Sequence, residues 1–312
     1  MITLIQLEYI TTLDTYRHFS TAAEKCFVTQ PTLSMQIKKM EDDLGIIIFD
    51  RIRQPVVPTT QGRQVIEQAR IILQEAGKID LIVQNLKDEI NGELRIGMIP
   101  TISPYLLPLF SGNFKRANPN IHLKLEEAIT SQIEEMLMQD RLDVGLVVTP
   151  VNNDLITEMP LYYEEMLVYH DKNHRFKNQE LIGAEEIDIT DLWLLKDGHC
   201  FRNQVINLCH VSQIHSESLP FQFEGGSLET LIKVVRQEGG YTLIPELAAT
   251  DLEPEGIKHF SGMKPLREVS LIFTRKFVKT KLIDLLAESI RNVVPEYMLN
   301  KERGSVIKWK DA

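Results

Sequence analysis

The chain has 312 residues, of which 43% are hydrophobic and 25% charged, and its formal net charge is −10. This composition excludes collagen-like, low-complexity and wholly disordered chains, and the length predicts two or three domains. No apolar run approaches the ~20 residues that cross a bilayer, and the N-terminus lacks the features of a secretion signal. We therefore expect a cytoplasmic protein without a membrane partner.

The net charge is unevenly distributed along the chain. Residues 1–65 carry seven basic and seven acidic side chains, so the excess of acid belongs to the remainder. Within this neutral segment, residues 30–39 hold two lysines and no acid, and residues 51–64 hold three arginines and no acid. Either stretch can approach a phosphate backbone without repulsion, although ordinary solvated faces have the same composition.

Three helices are predicted near the N-terminus. The first ends near Arg17, Ser20 is predicted to cap a short second helix, and Thr29 caps a third that has Pro31 in its first turn and ends at Gly45. The apolar residues of the first helix are Leu4, Leu7, Ile10 and Leu13. Those of the second are Ala22, Ala23 and Cys26, and those of the third are Leu33, Ile37, Met40 and Leu44.

The very short connection between the second and third helices is typical of a helix-turn-helix, whose second helix reads base edges in the major groove. The residues predicted to meet DNA there are Gln30, Pro31, Thr32, Ser34, Gln36 and Lys38. Two short strands, Ile48–Phe49 and Val56–Val57, are predicted to frame a basic hairpin, or wing. Its Arg51 and Arg53 suit the DNA backbone or the minor groove.

From residue 61 onward, apolar residues recur at alternating intervals of four and three. This spacing is typical of a coiled-coil seam and predicts a dimerisation helix, which pairs two DNA-reading modules. A helix packed on its own domain is the alternative. The seam residues are Val65, Ala69, Ile72, Ala76, Ile79, Val83, Leu86 and Ile90.

Beyond Gly92 the pattern alternates between strands and helices, which predicts an α/β domain with its ligand chemistry at the strand ends. The strand signals are Leu94/Ile96, Ile121/Leu123/Leu125, Val144/Leu146/Val148 and Tyr241/Leu243. The helical stretches are Pro104–Ala117, Ser131–Gln139 and Phe201–Leu208.

The stretch from Ala22 to Arg51, followed by Thr-Thr-Gln-Gly at 59–62, closely resembles the winged helix-turn-helix of LysR-type transcriptional regulators. The resemblance covers the whole chain. It implies a DNA-binding domain at 1–60, a linker helix at 61–91 and a regulatory domain at 92–312. That last domain is a two-lobed α/β fold similar to periplasmic binding proteins, with lobe I at about 92–163 and 268–312 and lobe II at about 164–267.

Residues 197–210 further resemble the redox loop of the hydrogen-peroxide-sensing members of that family, with support from 98–108 and 227–231. This resemblance implies that Cys200 reacts with peroxide and that Cys209 then forms a disulfide with the oxidised Cys200. No cofactor and no metal are expected. The resemblance also implies a peroxide pocket formed by Thr101, Thr130, His199 and Arg267. The implied partners are operator DNA, RNA polymerase, cellular thiol reductants and further copies of the chain, as a homodimer or homotetramer.

The chemistry makes its own demands on these cysteines. Only a thiolate attacks peroxide well, so Cys200 is expected to have a lowered pKa and some exposure. If residues 201–208 are helical, the Cα atoms of Cys200 and Cys209 lie ~13 Å apart, whereas a disulfide needs about 7 Å or less. The bond then requires this segment to unwind or repack, which is itself a switch.

Several alternatives remain open from the residues alone. Cys200 and Cys209 could be plain core residues, or zinc ligands together with His199, His210 and His215, and Cys26 is interpreted as packing. Thr101 and Thr130 could be turn caps, and Arg267 could be a surface or strand-edge charge. The regulator could instead bind a small organic effector between its lobes. A thiol-dependent peroxidase is a further alternative, but the chain has no GxGxxG, P-loop or GxSxG motif and is predicted not to be an enzyme.

Overall fold

The computed structural model describes residues 2–86, 91–188, 190–209, 223–275, 277 and 280–307. The side chains of 74, 78, 80–86 and 209 lie outside this description. The chain divides into two compact units, Met1–Glu89 and Ile90–Ala312. None of the helices in the described ranges combines the length and the apolarity that crossing a bilayer requires.

The first unit is a helix-turn-helix with a two-stranded wing. Its elements are α1 (Leu4–Tyr16), α2 (Phe19–Lys25), α3 (Gln30–Leu44), β1 (Phe49–Asp50), β2 (Val57–Pro58) and α4 (Thr60–Leu86). As predicted, Thr29 caps α3 through its side chain, Pro31 lies in the first turn, and Gly45 ends the helix at a φ of 69°. Glycine suits that left-handed conformation because it has no Cβ to clash.

Of the four apolar residues whose spacing predicted α1, Leu7, Ile10 and Leu13 are buried and Leu4 is 50% exposed. Two local predictions need correction. Ser20 does not cap α2, because the helix already begins at Phe19 after His18, and the Ser20 hydroxyl donates to Gln30 Oε1 at 2.8 Å instead. The wing strands lie one residue later than predicted at their starts, at Phe49 and Val57.

Helix α4 packs on its own unit at its N-terminal end. Ile66 and Ala69 are buried there, with Leu73 against the same core, and Arg70 forms an ion pair with Asp14 at 2.6 Å. Of the predicted seam, Val65 and Ala69 therefore contact their own module, Ala76 is half-buried, and Ile72 and Ile79 are 40% and 64% exposed. The side chains of Val83, Leu86 and Ile90 lie outside the described residues.

The second unit is the predicted α/β domain. Its helices are α5 (Ser103–Ala117), α6 (Thr130–Met138), α7 (Cys200–Cys209), α8 (Leu228–Glu238) and α9 (Thr280–Arg291). Its strands are β3 (Gly92–Met98), β4 (Ile121–Glu127), β5 (Val144–Thr149), β6 (Ile156–His170), β7 (Leu181–Ile182), β8 (Tyr241–Pro245), β9 (Ile257–Phe260), β10 (Pro265–Thr274) and β11 (Ser305–Val306). Short 3-10 helices lie at Arg175–Asn178, Ala184–Glu186, Glu246–Asp251, Pro254–Gly256, Glu296–Leu299 and Lys301–Arg303.

Two long strands connect the halves of this unit. The sheet order is β4-β3-β5-β10-β6-β9-β7, with β11 on β10 and β8 on β6. Parallel pairing joins β3 to β4 and β5, whereas β6 and β10 pair antiparallel from Glu165 opposite Leu266 to Ile156 opposite Thr274. Beyond that pairing, β6 continues along β8 through His170.

Two apolar cores lie on either side of these crossing strands. The first core is formed by buried residues between Leu94 and Tyr162 and between Val269 and Met298. The second is formed by buried residues between Met166 and Phe260. Two residues of the intervening chain, Cys200 and Leu247, pack into the first core. The predicted fold class, a winged helix-turn-helix followed by a two-lobed α/β domain, is confirmed.

A buried carboxylate fixes the wing to helix α3. Glu41 is 8% exposed and accepts the backbone N–H groups of Ile48 at 2.8 Å and Phe49 at 3.1 Å. Its other oxygen accepts from Arg51 at 2.7 Å. The Glu41 side chain thus accepts hydrogen bonds from two backbone amides that follow helix α3, and it orients Arg51, the first arginine of the wing.

We expect Glu41→Ala to lower the free energy of unfolding by about 2–4 kcal/mol, because two amides and a guanidinium lose a charged acceptor. Asp42→Ala is the matched control, since Asp42 is an exposed carboxylate one residue away, and it is expected to change stability by about 0.5 kcal/mol or less. Chemical denaturation of both variants measures the difference. Equal losses would show that Glu41 acts only through its charge.

Candidate functional site

The crossing strands bring a buried ion pair to the centre of the second unit. Arg267 on β10 lies opposite Glu164 on β6, and the two side chains are 1% and 0% exposed. Arg267 donates to Glu164 Oε1 from Nε at 2.7 Å and from Nη2 at 2.6 Å. Burial raises the pKa of Glu164, the Arg267 charge opposes that effect, and the N–H of Leu247 also supports the carboxylate at 3.2 Å.

The remaining donors of Arg267 point to Thr101. Nη1 donates to Thr101 Oγ1 at 3.1 Å and Nη2 to the Thr101 carbonyl oxygen at 2.9 Å. The guanidinium also lies 5.5 Å from the centre of the Phe201 ring. Arg267 is therefore a fully buried, oriented cation, and its interpretation as a surface charge is wrong.

Cys200 is the first residue of α7 and is 4% exposed. A small cavity, too narrow in this conformation to admit a water molecule, is lined by Cys200 together with Ile99, Thr101, Ile129, Thr130, His199 and Phe201. Four of the five residues of the predicted peroxide site line this cavity, and the fifth, Arg267, donates to one of them, Thr101.

The environment of Cys200 differs from the expectation for a reactive thiol. Burial raises its pKa above the usual value, while the charge of Arg267, the Thr130 hydroxyl and the N–H of Phe201 act in the opposite direction. The expected exposure and lowered pKa are therefore wrong for this conformation. The reason is that the sulfur packs into an apolar core, where loss of hydration outweighs the nearby cation.

His199 lies beside this thiol as a buried imidazole. It is 5% exposed, and burial, followed by the charge of Lys196, lowers its pKa. Its Nε2 has no hydrogen-bond partner among the described residues. Gly226 packs directly on the ring, since a Cβ at that position would lie 2.7 Å from Nε2.

The two sequence-predicted cysteines lie at the two ends of one helix. Helix α7 extends from Cys200 to Cys209, so their Cα atoms are ~13 Å apart at the helical rise. Phe201 and Val205 of this helix are buried in the second core, whereas Cys200 packs into the first. The side chain of Cys209, with His210 and His215, lies outside the described residues.

Zinc ligation finds no support in the described ranges, where no three His, Cys, Asp or Glu side chains are close enough to hold a metal ion. Cys26 is half-buried against the core of the first unit, and burial raises the pKa of its thiol.

Sequence reasoning missed Glu164. Glu164 and Arg267 are 103 residues apart in the sequence, and the pairing of β6 with β10 brings their opposite charges together. A signal was present, since Glu164 and Glu165 interrupt an apolar strand in which Leu161, Tyr162 and Met166 are buried. Two acids inside such a strand indicate buried partners of opposite charge.

The candidate DNA-reading residues form one accessible stretch on α3. Gln30, Pro31 and Lys38 are exposed, and Thr32, Ser34 and Gln36 are half-buried. Met35, which sequence reasoning passed over, is 62% exposed among them, and Phe27 in the preceding turn is 95% exposed.

The two wing arginines differ. Arg51 contacts Glu41 at 2.7 Å and lies 5.5 Å from the Phe19 ring centre. Arg53 has a side chain that is 74% exposed, with Asp50 3.4 Å away. Arg53 is therefore the more accessible cation, and Arg51 is held against the helix-turn-helix.

Comparison with known families agrees with both units. The model of the "Bacterial regulatory helix-turn-helix protein, lysR family" matches residues 4–63, and that of the "LysR substrate binding domain" matches residues 87–295.

Curated relatives are similar over nearly their whole length. The chain is 36% identical to a hydrogen peroxide-inducible genes activator of Haemophilus influenzae, over 86% of this chain and 89% of the relative. It is 33% identical to the DNA-binding transcriptional dual regulator OxyR of Escherichia coli, over 91% and 93%.

Solved structures are similar as well. A full-length OxyR variant from Pseudomonas aeruginosa superposes with a TM-score of 0.80 at 32% identity, covering 94% of this chain and 99% of that one. A Corynebacterium glutamicum OxyR mutant with H2O2 bound gives a TM-score of 0.61 at 26% identity, over 93% and 94%.

We expect Arg267→Met to raise the pKa of Cys200 further, because the variant removes the main charge that favours the thiolate. At a fixed neutral pH, less thiolate then forms and alkylation slows. The measurement is the pH profile of iodoacetamide labelling in a background with Cys26→Ser and Cys209→Ser. Arg141→Met, at an exposed arginine, is the control, and equal profiles for the two variants would contradict the assignment.

Proposed function

The chain belongs to the LysR family of bacterial transcriptional regulators, and we propose that it senses hydrogen peroxide through Cys200 to control oxidative-stress genes. The observation that carries the proposal is the placement of this thiol in a small cavity with Thr101, Thr130 and His199. A buried arginine, itself anchored by Glu164, donates to one wall of that cavity.

The first chemical step is attack of the Cys200 thiolate on one peroxide oxygen. The O–O bond breaks, the leaving oxygen takes a proton and departs as water, and the sulfur becomes a sulfenic acid. Arg267 and the hydroxyls of Thr101 and Thr130 suit this step, since they supply positive charge and donors where negative charge shifts from sulfur to oxygen. Burial lowers the pKa of His199, which favours the uncharged ring, and such a ring can donate or accept a hydrogen bond without repelling Arg267.

The second step joins the two cysteines. The Cys209 thiolate attacks the sulfenic sulfur, an S–S bond forms and the oxygen leaves as a second water. Two thiols thus give two electrons to one peroxide. Because the helix holds the Cα atoms ~13 Å apart, α7 must partly unwind before the bond closes. Cellular thiol reductants would then return the protein to the dithiol state.

The first unit supplies the output by binding operator DNA. Gln30, Pro31, Thr32, Ser34, Gln36 and Lys38 would face the major groove, and Arg51 and Arg53 would contact the flanking backbone. In this proposal α4 pairs two chains along Ile72, Ala76, Ile79, Val83 and Leu86, the part of the predicted seam that follows Val65 and Ala69, which contact their own module. The exposure of Ile72 and Ile79 supports that pairing.

The domain division at 1–60, 61–91 and 92–312 forms part of the same proposal, as do assembly into a tetramer and contact with RNA polymerase in the cytoplasm. These parts of the proposal rest on what a promoter-bound regulator of this family requires, and not on a contact between residues in the structure.

A second candidate function is the sensing of a small organic effector. A cleft of about 340 Å³ shares Ile129 and His199 with the thiol cavity, and its polar lining also includes Glu127, Gln132, Lys196 and Ser227. Because Glu127 and Lys196 contribute one charge of each sign, this cleft suits a small polar organic molecule. A ligand that fills it raises thermal stability with the logarithm of its concentration above the dissociation constant and leaves the cysteines reduced.

We expect Cys200→Ser to abolish the response of target promoters to hydrogen peroxide, because a hydroxyl does not reduce peroxide. In the wild-type protein, brief micromolar peroxide should remove two hydrogens, and the loss should map to a peptide linking Cys200 with Cys209. Intact mass and peptide mapping measure this directly. Cys26→Ser is the matched control and should retain both results.

Two results would contradict the proposal in different ways. A promoter response that survives Cys200→Ser supports the organic effector. Sustained turnover of peroxide with excess thiol, without binding to DNA, supports a peroxidase.

We expect Arg53→Ala to weaken binding to duplex DNA of any sequence and to reduce the slope of log affinity against log salt by about 0.9, the value for one lost phosphate contact. Fluorescence anisotropy across a salt series measures the slope. Arg141→Ala, in the second unit, should leave it unchanged. A slope unaltered in Arg53→Ala would show that the wing does not contact phosphate.

A further inference from the structure

The end of the described chain lies against the strand that carries Arg267. Strand β11 pairs in parallel with β10, with Ser305 opposite Pro265 and Val306 opposite Leu266. The N–H of Ser305 donates to the Lys264 carbonyl at 2.8 Å, and the N–H of Ile307 donates to the Leu266 carbonyl at 2.8 Å. Strand β11 therefore ends opposite Leu266, the residue before Arg267. The guanidinium of Arg267 donates to Thr101 in the wall of the thiol cavity.

A single buried amide connects helix α7 to this strand. Gln204 is 0% exposed, and its Nε2 donates to the carbonyl oxygen of Ile307 at 3.1 Å. Its Oε1 has no hydrogen-bond partner among the described residues. This single hydrogen bond fixes the position of the buried Gln204 side chain, because losing it would leave the amide N–H without an acceptor in the core.

The other side of the strand is anchored independently of α7. Arg303 donates to both oxygens of Glu246, at 3.0 and 2.7 Å, and lies 3.7 Å from the buried carboxylate of Glu165. Its guanidinium also stacks on Tyr297 at 4.7 Å. The segment is thus held firmly at Arg303, while Ile307 depends on β10 and on Gln204.

We propose that Gln204 is a positioning residue that ties the Cys200 helix to β11, and that forming the disulfide breaks this tie and loosens the strand at Ile307. The inference rests on the proposed peroxide-sensing function. Closing a Cys200–Cys209 bond requires α7 to unwind, and Gln204 lies between the two cysteines. Its amide cannot keep its place when the helix around it is remodelled.

The coupling works in both directions. A hydrogen bond made only in the dithiol form stabilises that form, so it opposes oxidation by the same free energy with which oxidation weakens the strand. A net bond of ordinary strength corresponds to about a fivefold change in the dithiol–disulfide equilibrium constant, or about 20 mV for a two-electron couple.

The first experiment compares hydrogen exchange at the backbone amides of Ser305 and Ile307 in the fully reduced and peroxide-oxidised full-length protein. Exchange at Ile307 is expected to rise about fivefold or more on oxidation, while the amide of Ile272, in the middle of β10, keeps its protection. Intact mass on the same samples reports the disulfide. A disulfide with unchanged protection at Ile307 overturns this inference alone, whereas no disulfide overturns the proposed function.

The second experiment measures the dithiol–disulfide equilibrium in glutathione buffers. Gln204→Leu is expected to shift it about fivefold toward the disulfide, and truncation after Gly304 is expected to do the same by removing the acceptor. Combining the two changes should add nothing further, because both remove one bond. Asn203→Ala, one residue away on α7, is the control and should cause no shift.

The proposal would be contradicted if the two changes shifted the dithiol–disulfide equilibrium additively, or if Gln204→Leu left that equilibrium unchanged. A purely structural role predicts lower stability without this non-additive shift. If the truncated chain fails to fold, the Gln204→Leu equilibrium and the exchange at Ile307 still decide the question.

Discussion

The regulatory unit depends on one buried charge pair. Arg267 and Glu164 face each other across the two strands that connect the lobes, and neither is accessible to water. A lone cation there would be prohibitively unstable, so the carboxylate is what allows an arginine to stand beside a thiol in an apolar core. Glu164 accepts from Nε and Nη2, while Nη1 and Nη2 also donate to Thr101, so one guanidinium joins the carboxylate to the cavity wall.

In the proposed function, the same arrangement would allow a buried cysteine to react with peroxide. In the resting conformation burial raises the pKa of Cys200, and Arg267 with Thr130 offsets only part of that effect. The donors are nevertheless fixed before peroxide arrives, and donors fixed in a dry site act more strongly on a charge that moves during reaction than they would in water. The reactivity is therefore stored in the orientation of neighbours rather than in a permanent thiolate.

Local chemistry could be predicted well, and long-range pairing could not. The Thr29 cap, the Gly45 stop and the helix between the cysteines follow from propensity and spacing, and all three are present. Recognition of a family motif, rather than periodicity, selected Thr101, Thr130, His199 and Arg267. Glu164, Gln204 and Arg303 were missed because their partners lie 103, 103 and 57 residues away and meet them only after the sheet and the C-terminal segment assemble. The failed Ser20 cap shows the limit at short range, because the helix begins at Phe19, two residues earlier than a cap at Ser20 predicts.

Cys200 belongs to one apolar core while the next residues of its helix belong to the other. A sulfur at such a junction is reached only by a molecule that fits the narrow gap beside it or that arrives when the two halves part. Small oxidants need a smaller and more frequent fluctuation than bulky alkyl hydroperoxides do. If Cys200 senses peroxide as proposed, the packing of the lobes would thus also favour small oxidants over bulky ones before any bond is made.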